Sequence, residues 1–328
     1  MTSGPVRSDT GWKCDTPRRR RHQMLADIRE SLARSPRELP SKFFYDERGS
    51  NLFEEITRLP EYYLARAERE ILDAHALDIV TLTAPCTLIE LGAGSAAKTR
   101  ILLRAMQARV RNVLYVPIDV SDTFLQQTRD ALLRENPTLG VEPVVCDVSV
   151  SLELPATPSP SLFAFLGSTI GNFDWTGAVS LLRRVRARMR PGDRLLLGTD
   201  LRKDRATIEA AYNDAQGVTA EFNRNVLCVV NAELGADFAP ERFQHWAFYD
   251  DDQHRIEMRL RSIGSQTVHI PGLPVLSFND GDDIRTELSH KYDRGVVDAL
   301  ATSARLRVSH WFTDARSRFA LSVLEPLA

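Results

Sequence analysis

The sequence has no cysteine pairing. Of its four cysteines, Cys14, Cys86, Cys146 and Cys228, the closest two in sequence are 60 residues apart (146 − 86). That spacing excludes CxxC zinc ribbons, thioredoxin-type redox pairs and a disulfide framework, and it sets the expectation of a reducing, cytoplasmic compartment. No run of about 18 apolar residues occurs, so no membrane-spanning helix is expected. The opening MTSGPVRSDTGWKCDTPRRRRHQ lacks the apolar stretch of a secretory signal. Neither charge sign dominates: 42 Lys and Arg stand against 44 Asp and Glu, a net charge of -2. This excludes the basic face of a nucleic-acid binder and the composition of an acidic disordered tail. The histidines form no HExxH or Cys/His cluster, and G-x-S-x-G is absent, so neither a metal centre nor a nucleophilic hydrolase is expected. What remains is an ordinary globular composition, 43% hydrophobic and 26% charged, over 328 residues. That length suggests about two domains and a core large enough to need no staples.

A helical pattern runs from residue 23 through MLADIRESL and stops before Pro36. The stretch 36–63 is rich in aromatics and broken by Pro36, Pro40 and Pro60, with a short helix over NLFEEITRL. A longer helix follows from about Ala65 to Leu82. Then strands alternate with helices: TLIEL (87–91), VLYVPID (113–119), PVVCD (143–147), LFAFLGS (162–168) and RLLLGTD (194–200). Near-continuous apolar strands between amphipathic helices predict an α/β fold whose parallel sheet is covered on both faces. The alternation stops after residue 200. Two helical segments within 203–235 precede QHWAFYDDDQHRIEMRLRS, a hairpin around DDDQH with His245 and His254 expected to pair across its turn. RLRVSHWFTDARSRFALSVLEPLA returns to strands, with a turn near Asp314 to Ser317. The parallel sheet is thus predicted to be interrupted by an α+β insertion and completed by a C-terminal hairpin. The expected division is 64–200 with 292–328 as the sheet domain, 23–63 with 201–291 as the second domain, and 1–22, including the Arg18–Arg21 run, as a solvated flexible tail.

The sharpest local motif is Glu90-Leu91-Gly92-Ala93-Gly94-Ser95-Ala96-Ala97-Lys98, between the first strand and its helix. Glycines let the backbone turn tightly against a ligand, and the helix N-terminus offers free N–H groups. GxGxxA fits a dinucleotide site as well as one for S-adenosylmethionine. Two features favour the latter. Asp119 ends the second strand 27 residues after Gly92, whereas about 20 is usual for NAD. The closing antiparallel hairpin is also foreign to a dinucleotide domain. Asp119 is placed for ribose hydroxyls and Asp147, ending the third strand, for the adenine amino group. Lys98 suits the cofactor's carboxylate, its plainer reading being a solvated helix lysine.

The segments KFFYDERGSNLFEEITRLPEYYLARAERE, LIELGAGSAAKTR, FLGSTIGNF, GTDLRKD, AYNDAQGVTAEFNRNVL, RIEMRLR and TELSHKY, in this order, resemble a single family. It is that of the histidine-specific S-adenosylmethionine-dependent methyltransferases of ergothioneine biosynthesis. The resemblance runs from about residue 23 to the C-terminus. It implies a Rossmann-like class I methyltransferase sheet with an inserted α+β substrate-binding domain, and trimethylation of the α-amino nitrogen of L-histidine to hercynine in a cleft between the two. S-adenosyl-L-methionine is the implied methyl donor, with no metal. The implied cofactor-binding residues are Tyr45, Gly92, Lys98, Asp119 and Asp147. Val148 stands where the family often has an aromatic residue, so ring stacking on the adenine is not expected. The implied substrate-binding residues are Tyr62, Gly167, Thr169, Asn172, Tyr212, Met258, Glu287 and Ser289. Asn172 and Tyr212 would bind the histidine carboxylate, Gly167 and Thr169 the amine, and Glu287, Ser289 and Tyr62 the imidazole. A monomer acting on a small molecule, with no nucleic-acid or membrane partner, is expected.

By position alone these residues have plainer readings: Tyr62 as core, Asn172 as a turn cap, Glu287 as a strand-surface charge, Met258 as hairpin core. The chemistry itself asks for little. Methyl transfer from a sulfonium to an amine is an in-line displacement, so the protein must align and desolvate two partners. An α-amine with a pKa of about 7.7–8.0 is partly neutral at cellular pH, and no dedicated base is required. Tyr45, Tyr62 and Tyr212 can offer π-faces to the trimethylated cation. Tryptophan or a histidine derivative is the competing substrate, and the presence of Glu287 favours an imidazole.

Overall fold

The computed structural model describes residues 17–327. Residues 1–16 of the expected tail, Cys14 among them, lie outside the described residues. Helix α1 (Pro17–Leu32) already includes residues 17–22, with proline in the first turn, where its missing N–H costs nothing. Helices α2 (Glu47–Ile56) and α3 (Tyr63–Thr83) follow. Next come strands β1 (Thr87–Leu91), β2 (Leu114–Asp119), β3 (Gly140–Val141), β4 (Val144–Val145), β5 (Ser161–Phe165) and β6 (Arg194–Asp200), with helices α4 (Thr99–Gln107), α5 (Asp122–Glu135) and α6 (Trp175–Arg188) between them. The interruption holds α7 (Arg205–Ala210), α8 (Val218–Leu234), β7 (Phe243–Asp250), β8 (Arg255–Ser262), β9 (Gln266–Val268), β10 (Leu276–Phe278) and β11 (Asp283–His290). The chain closes with α9 (Arg294–Ser303), β12 (Leu306–Thr313) and β13 (Phe319–Pro326). None of the described helices is long and apolar enough to cross a membrane.

The main sheet runs β12-β13-β6-β5-β1-β2-β3, with β4 also on β2. From β6 to β2 it is parallel. The C-terminal hairpin adds β13 antiparallel to β6 and β12 antiparallel to β13. Successive side chains of each strand enter opposite cores: Leu88, Leu162, Ala164 and Leu196 on one face, Ile89, Phe163, Phe165, Leu195 and Leu197 on the other. Burial on both faces is why these strands read as unbroken apolar runs. The predicted strand 143–147 is mostly loop: only Val144–Val145 pairs, after the separate piece Gly140–Val141. The break faces Pro117 on β2 and includes Pro143, and neither has an N–H to donate to the ladder.

The interruption builds a second sheet, β11-β8-β7, all antiparallel. The segment before α2 joins it, for Leu39 N–H donates to Arg285 O (2.9 Å) and Arg285 N–H to Arg37 O (2.8 Å). The expected pairing of His245 with His254 is not formed. His245 lies opposite Leu260 and bonds Asn223 and the Tyr212 carbonyl, both at 2.9 Å. His254 sits in the turn at φ 50° with its Nδ1 3.4 Å from the Tyr249 hydroxyl. Buried Ala247, Tyr249, Ile256 and Met258 fix the hairpin register, and that register sets the two histidines far apart along it.

Candidate active site

A cleft of about 830 Å³ opens where the loops following β1, β2 and β5 face the second sheet and the segment before α3. Tyr45, Tyr62, Gly92, Lys98, Asp119, Asp147, Val148, Gly167, Thr169, Asn172 and Glu287 all line it. Tyr212, Met258 and Ser289 stand behind its wall, at 5%, 1% and 3% exposure.

At the glycine turn, Gly92 and Gly94 take φ of 67° and 50°, and nothing lies within 4 Å of a Cβ built at either. The backbone is therefore bare toward the cleft. Gly92 N–H is held by the Ile118 carbonyl (2.8 Å), which ties the turn to the end of β2. The Asp119 carboxylate accepts from Gly94 N–H and Ser121 N–H, both at 3.2 Å, long bonds that leave lone pairs free. Asp147 accepts from Ser149 N–H (2.9 Å) and from Lys42 Nζ (2.8 Å), and Lys42 also pairs with Asp27 (2.7 Å). Burial alone would raise the Asp147 pKa, but Lys42 and Ser149 outweigh it and hold the carboxyl below its ordinary value. Lys42 thus straps the N-terminal segment over this end of the cleft.

Sequence reasoning missed Glu68. It lies on α3 with its side chain fully buried, accepts from Gly167 N–H at 2.8 and 3.1 Å, and forms an ion pair with Lys98 Nζ. Room for it exists only because residue 198 is glycine: a Cβ there would stand 2.5 Å from Glu68 Oε1. A signal was available, since Leu64, Ala67, Glu68, Ile71 and Leu72 share one helical face, and a glutamate inside an apolar stripe needs a buried partner. Glu90, part of the turn motif, has a role that the motif does not show. It is 3% exposed, accepts from Thr99 Oγ1 (2.6 Å) and the Tyr115 hydroxyl, and burial lifts its pKa to about 7.

At the other end, Tyr45, Phe53, Tyr62 and Phe222 meet edge to face or tilted, and the Tyr62 ring lies 6.4 Å from that of Tyr212. Burial raises the hydroxyls of Tyr45 and Tyr62 well above their ordinary pKa and that of Tyr212 above it, so they stay neutral donors. Gly167 takes φ 74°, and the Thr169 hydroxyl donates to the Leu166 carbonyl (2.9 Å). Asn172 ends the 3-10 turn Thr169–Asn172. Glu287 sits at the β11 bulge opposite Met258. Burial lifts its carboxyl to about 7, opposed only by the charge of Lys291 and by no hydrogen bond. Among the described residues no group of three or more His, Cys, Asp or Glu side chains is arranged to hold a metal.

The arrangement is a cleft with a bare glycine turn and two carboxylates at one end, and an aromatic chamber with a solitary carboxyl at the other. The family model described as a histidine-specific, SAM-dependent methyltransferase matches residues 24–326. Histidine N-alpha-methyltransferase from Mycobacterium tuberculosis is 43% identical over 298 residues, 90% of this chain and 93% of that one. Ergothioneine biosynthesis protein 1 from Schizosaccharomyces pombe is 33% identical over 69% of this chain and 30% of its own length. A solved S-adenosylmethionine-dependent methyltransferase from Clostridium acetobutylicum, 11% identical, aligns over 85% of this chain and 99% of that one with a TM-score of 0.48. With the family match spanning nearly the whole length, this chain belongs to the histidine-specific, S-adenosylmethionine-dependent methyltransferases.

Proposed function

We propose that the protein transfers three methyl groups from S-adenosylmethionine to the α-amino nitrogen of L-histidine, releasing hercynine. The observation that carries this reading is Glu287. It is a carboxyl without a hydrogen bond in an aromatic chamber, sharing one cleft with the glycine turn. Such a group needs a donor, and an imidazole N–H is one. The residues suit the cofactor: the bare turn at Gly92 and Gly94 admits close approach, Asp119 keeps lone pairs for the ribose diol, and Asp147 for the adenine amine. Lys98, balanced by Glu68, would meet the cofactor's carboxylate, and Val148 would face the base with no aromatic ring to stack on it. Bound S-adenosylmethionine supplies a methyl on a sulfonium, whose C–S bond breaks as the N–C bond forms.

The chain's own residues bind, orient and desolvate the amine. Asn172 and Tyr212 hold the substrate carboxylate; the Gly167 carbonyl and Thr169 hydroxyl orient the nitrogen; Glu287, Ser289 and Tyr62 read the imidazole; Met258 packs beside it. Starting from the ammonium form, three protons leave as three methyls enter, one per transfer, each passing from the bound amine to water without a dedicated base. The trimethylated nitrogen can no longer donate, and the faces of Tyr45 and Tyr62 suit that cation. In this reading 64–200 with 292–328 carries the cofactor, 23–63 with 201–291 the substrate. On the same reading the enzyme works as a monomer and in a reducing cytoplasm, where Cys86, Cys146 and Cys228 stay free. Mass spectrometry of the product from histidine and S-adenosylmethionine tests it. Three added methyls per histidine are expected. Methylation of tryptophan but not of histidine overturns the substrate assignment.

A further inference from the structure

Two charged residues, Asp200 of the motif GTDLRKD and Lys291 of TELSHKY, have no part in the mechanism so far. The fold brings them together beneath the chamber. Lys291 has a fully buried side chain and pairs with Asp200 Oδ2 at 2.8 Å, itself fully buried at the end of β6. Lys291 Nζ also donates to the Tyr212 hydroxyl (3.0 Å) and the Ser289 hydroxyl (2.9 Å). An ammonium has three N–H donors and no acceptor, so Lys291 is fully used. Asp200 is further held by the Tyr63 hydroxyl (2.8 Å) and by Lys203 Nζ (2.6 Å). The two lysines share one aspartate unequally. Burial works against both, but Asp200 holds Lys291 above the ordinary lysine range, while burial brings Lys203 down to about 8.

The consequence lies in the two hydroxyls. A hydroxyl can accept or donate, and so by itself does not discriminate. Lys291 occupies one of the two lone pairs on each, and the Tyr212 hydroxyl donates to the other lone pair of Ser289 Oγ at 2.8 Å. The remaining Ser289 proton must point elsewhere, and when a ligand supplies acceptors both O–H groups are free to turn toward it.

The geometry points to Lys291 as the positioning residue that biases Tyr212 and Ser289 toward donating, so that this wall favours substrates presenting acceptors, a carboxylate oxygen and a bare imidazole nitrogen. The inference rests on the proposed contacts of Tyr212 and Ser289 with histidine. It gives the chamber opposite polarities, with hydroxyl donors on one side and the Glu287 acceptor on the other. A neutral imidazole, one N–H and one bare nitrogen, fits only that combination.

The test is Lys291→Met, which keeps the stem and removes the donors, with Lys203 and Tyr63 remaining on Asp200. Lys291→Met/Asp200→Asn, which removes both buried charges, serves as a second variant where the first does not fold. Each is made in wild type and in a Tyr212→Phe/Ser289→Ala background. Expected in wild type is a loss in kcat/KM for histidine on the order of 10- to 100-fold, carried mainly by KM, with S-adenosylhomocysteine affinity by calorimetry changed by less than about threefold. In the double-hydroxyl background the same substitution should add less than about threefold, because Lys291 acts through those hydroxyls. Equal losses in both backgrounds, or a parallel loss of S-adenosylhomocysteine affinity, reduce Lys291 to a structural residue and overturn the proposal. If Tyr212→Phe/Ser289→Ala leaves histidine kinetics unchanged, it is the underlying assignment of those hydroxyls to the substrate that fails.

Discussion

Replacing Glu287 by glutamine should make the ligand-free protein more stable, by an amount that grows as pH rises from 4.5 and levels off above about 7. Folding raises this carboxyl from its ordinary 4.5 to about 7, because burial disfavours the charge and no hydrogen bond compensates. The folded state therefore keeps a proton that the unfolded chain has already lost between those two values. The stability tied to that proton is complete below pH 4.5 and is lost as pH rises through 7. A shift of about 2.5 units corresponds to about 3.4 kcal/mol at 1.36 kcal/mol per unit. Glu287 keeps partial access to water through the open cleft, so about 2 to 3 kcal/mol is the realistic share. Glutamine has the shape of the protonated acid and never ionises. Urea unfolding of both proteins at pH 4.5 and pH 8, without ligands, should show curves that nearly coincide at the lower pH. At the higher pH the variant should lead by about 2 kcal/mol. All other titrating groups are common to both proteins and cancel in the difference. A gap that is the same at both pH values, or of the opposite sign at pH 8, refutes the reasoning. The same variant should bind histidine worse, so the group that weakens the empty fold is the one the substrate needs.

Asp119→Ala removes the acceptor proposed for the ribose diol and should cost S-adenosylhomocysteine roughly 10- to 100-fold in affinity by calorimetry; unchanged affinity in a folded variant removes Asp119 from the cofactor set. Gly198→Ala places a Cβ 2.5 Å from Glu68 Oε1, so carboxylate or strand must move. The expected cost is about 1–3 kcal/mol in urea unfolding, together with weaker S-adenosylhomocysteine binding as Lys98 loses its fixed partner; a neutral result shows that Glu68 is free to relocate. The profile of kcat against pH should rise through the ionisation of the bound amine and then level off. A second, lower ionisation in kcat that one Tyr→Phe substitution abolishes would reveal a general base.

Periodicity and turn chemistry were enough for much of this protein. Strands buried on both faces carry continuous apolar runs, so β1, β2, β5 and β6 and the helices between them are legible, as are the polar turn of the β7–β8 hairpin and the C-terminal hairpin. The glycine turn and Asp119 are legible too, because local backbone geometry and strand ends place them. Strand pairing at the sheet edge is not, since it failed opposite Pro117, a partner that only the register brings near. His245 and His254 looked like neighbours along the hairpin and are held apart by the burial of alternate residues around them. The partners of the supporting charges were invisible for a related reason. Glu68, Lys98 and Gly167 come from three separate segments, as do Asp200, Tyr212 and Lys291, and a buried charge is tolerated only where distant segments supply its partner. A linear pattern can show that a charge sits in an apolar stripe, as Glu68 does. Which counter-charge meets it is decided by the packing of α3 on the main sheet, and which hydroxyls Lys291 turns toward donating by the packing of the second sheet against the first.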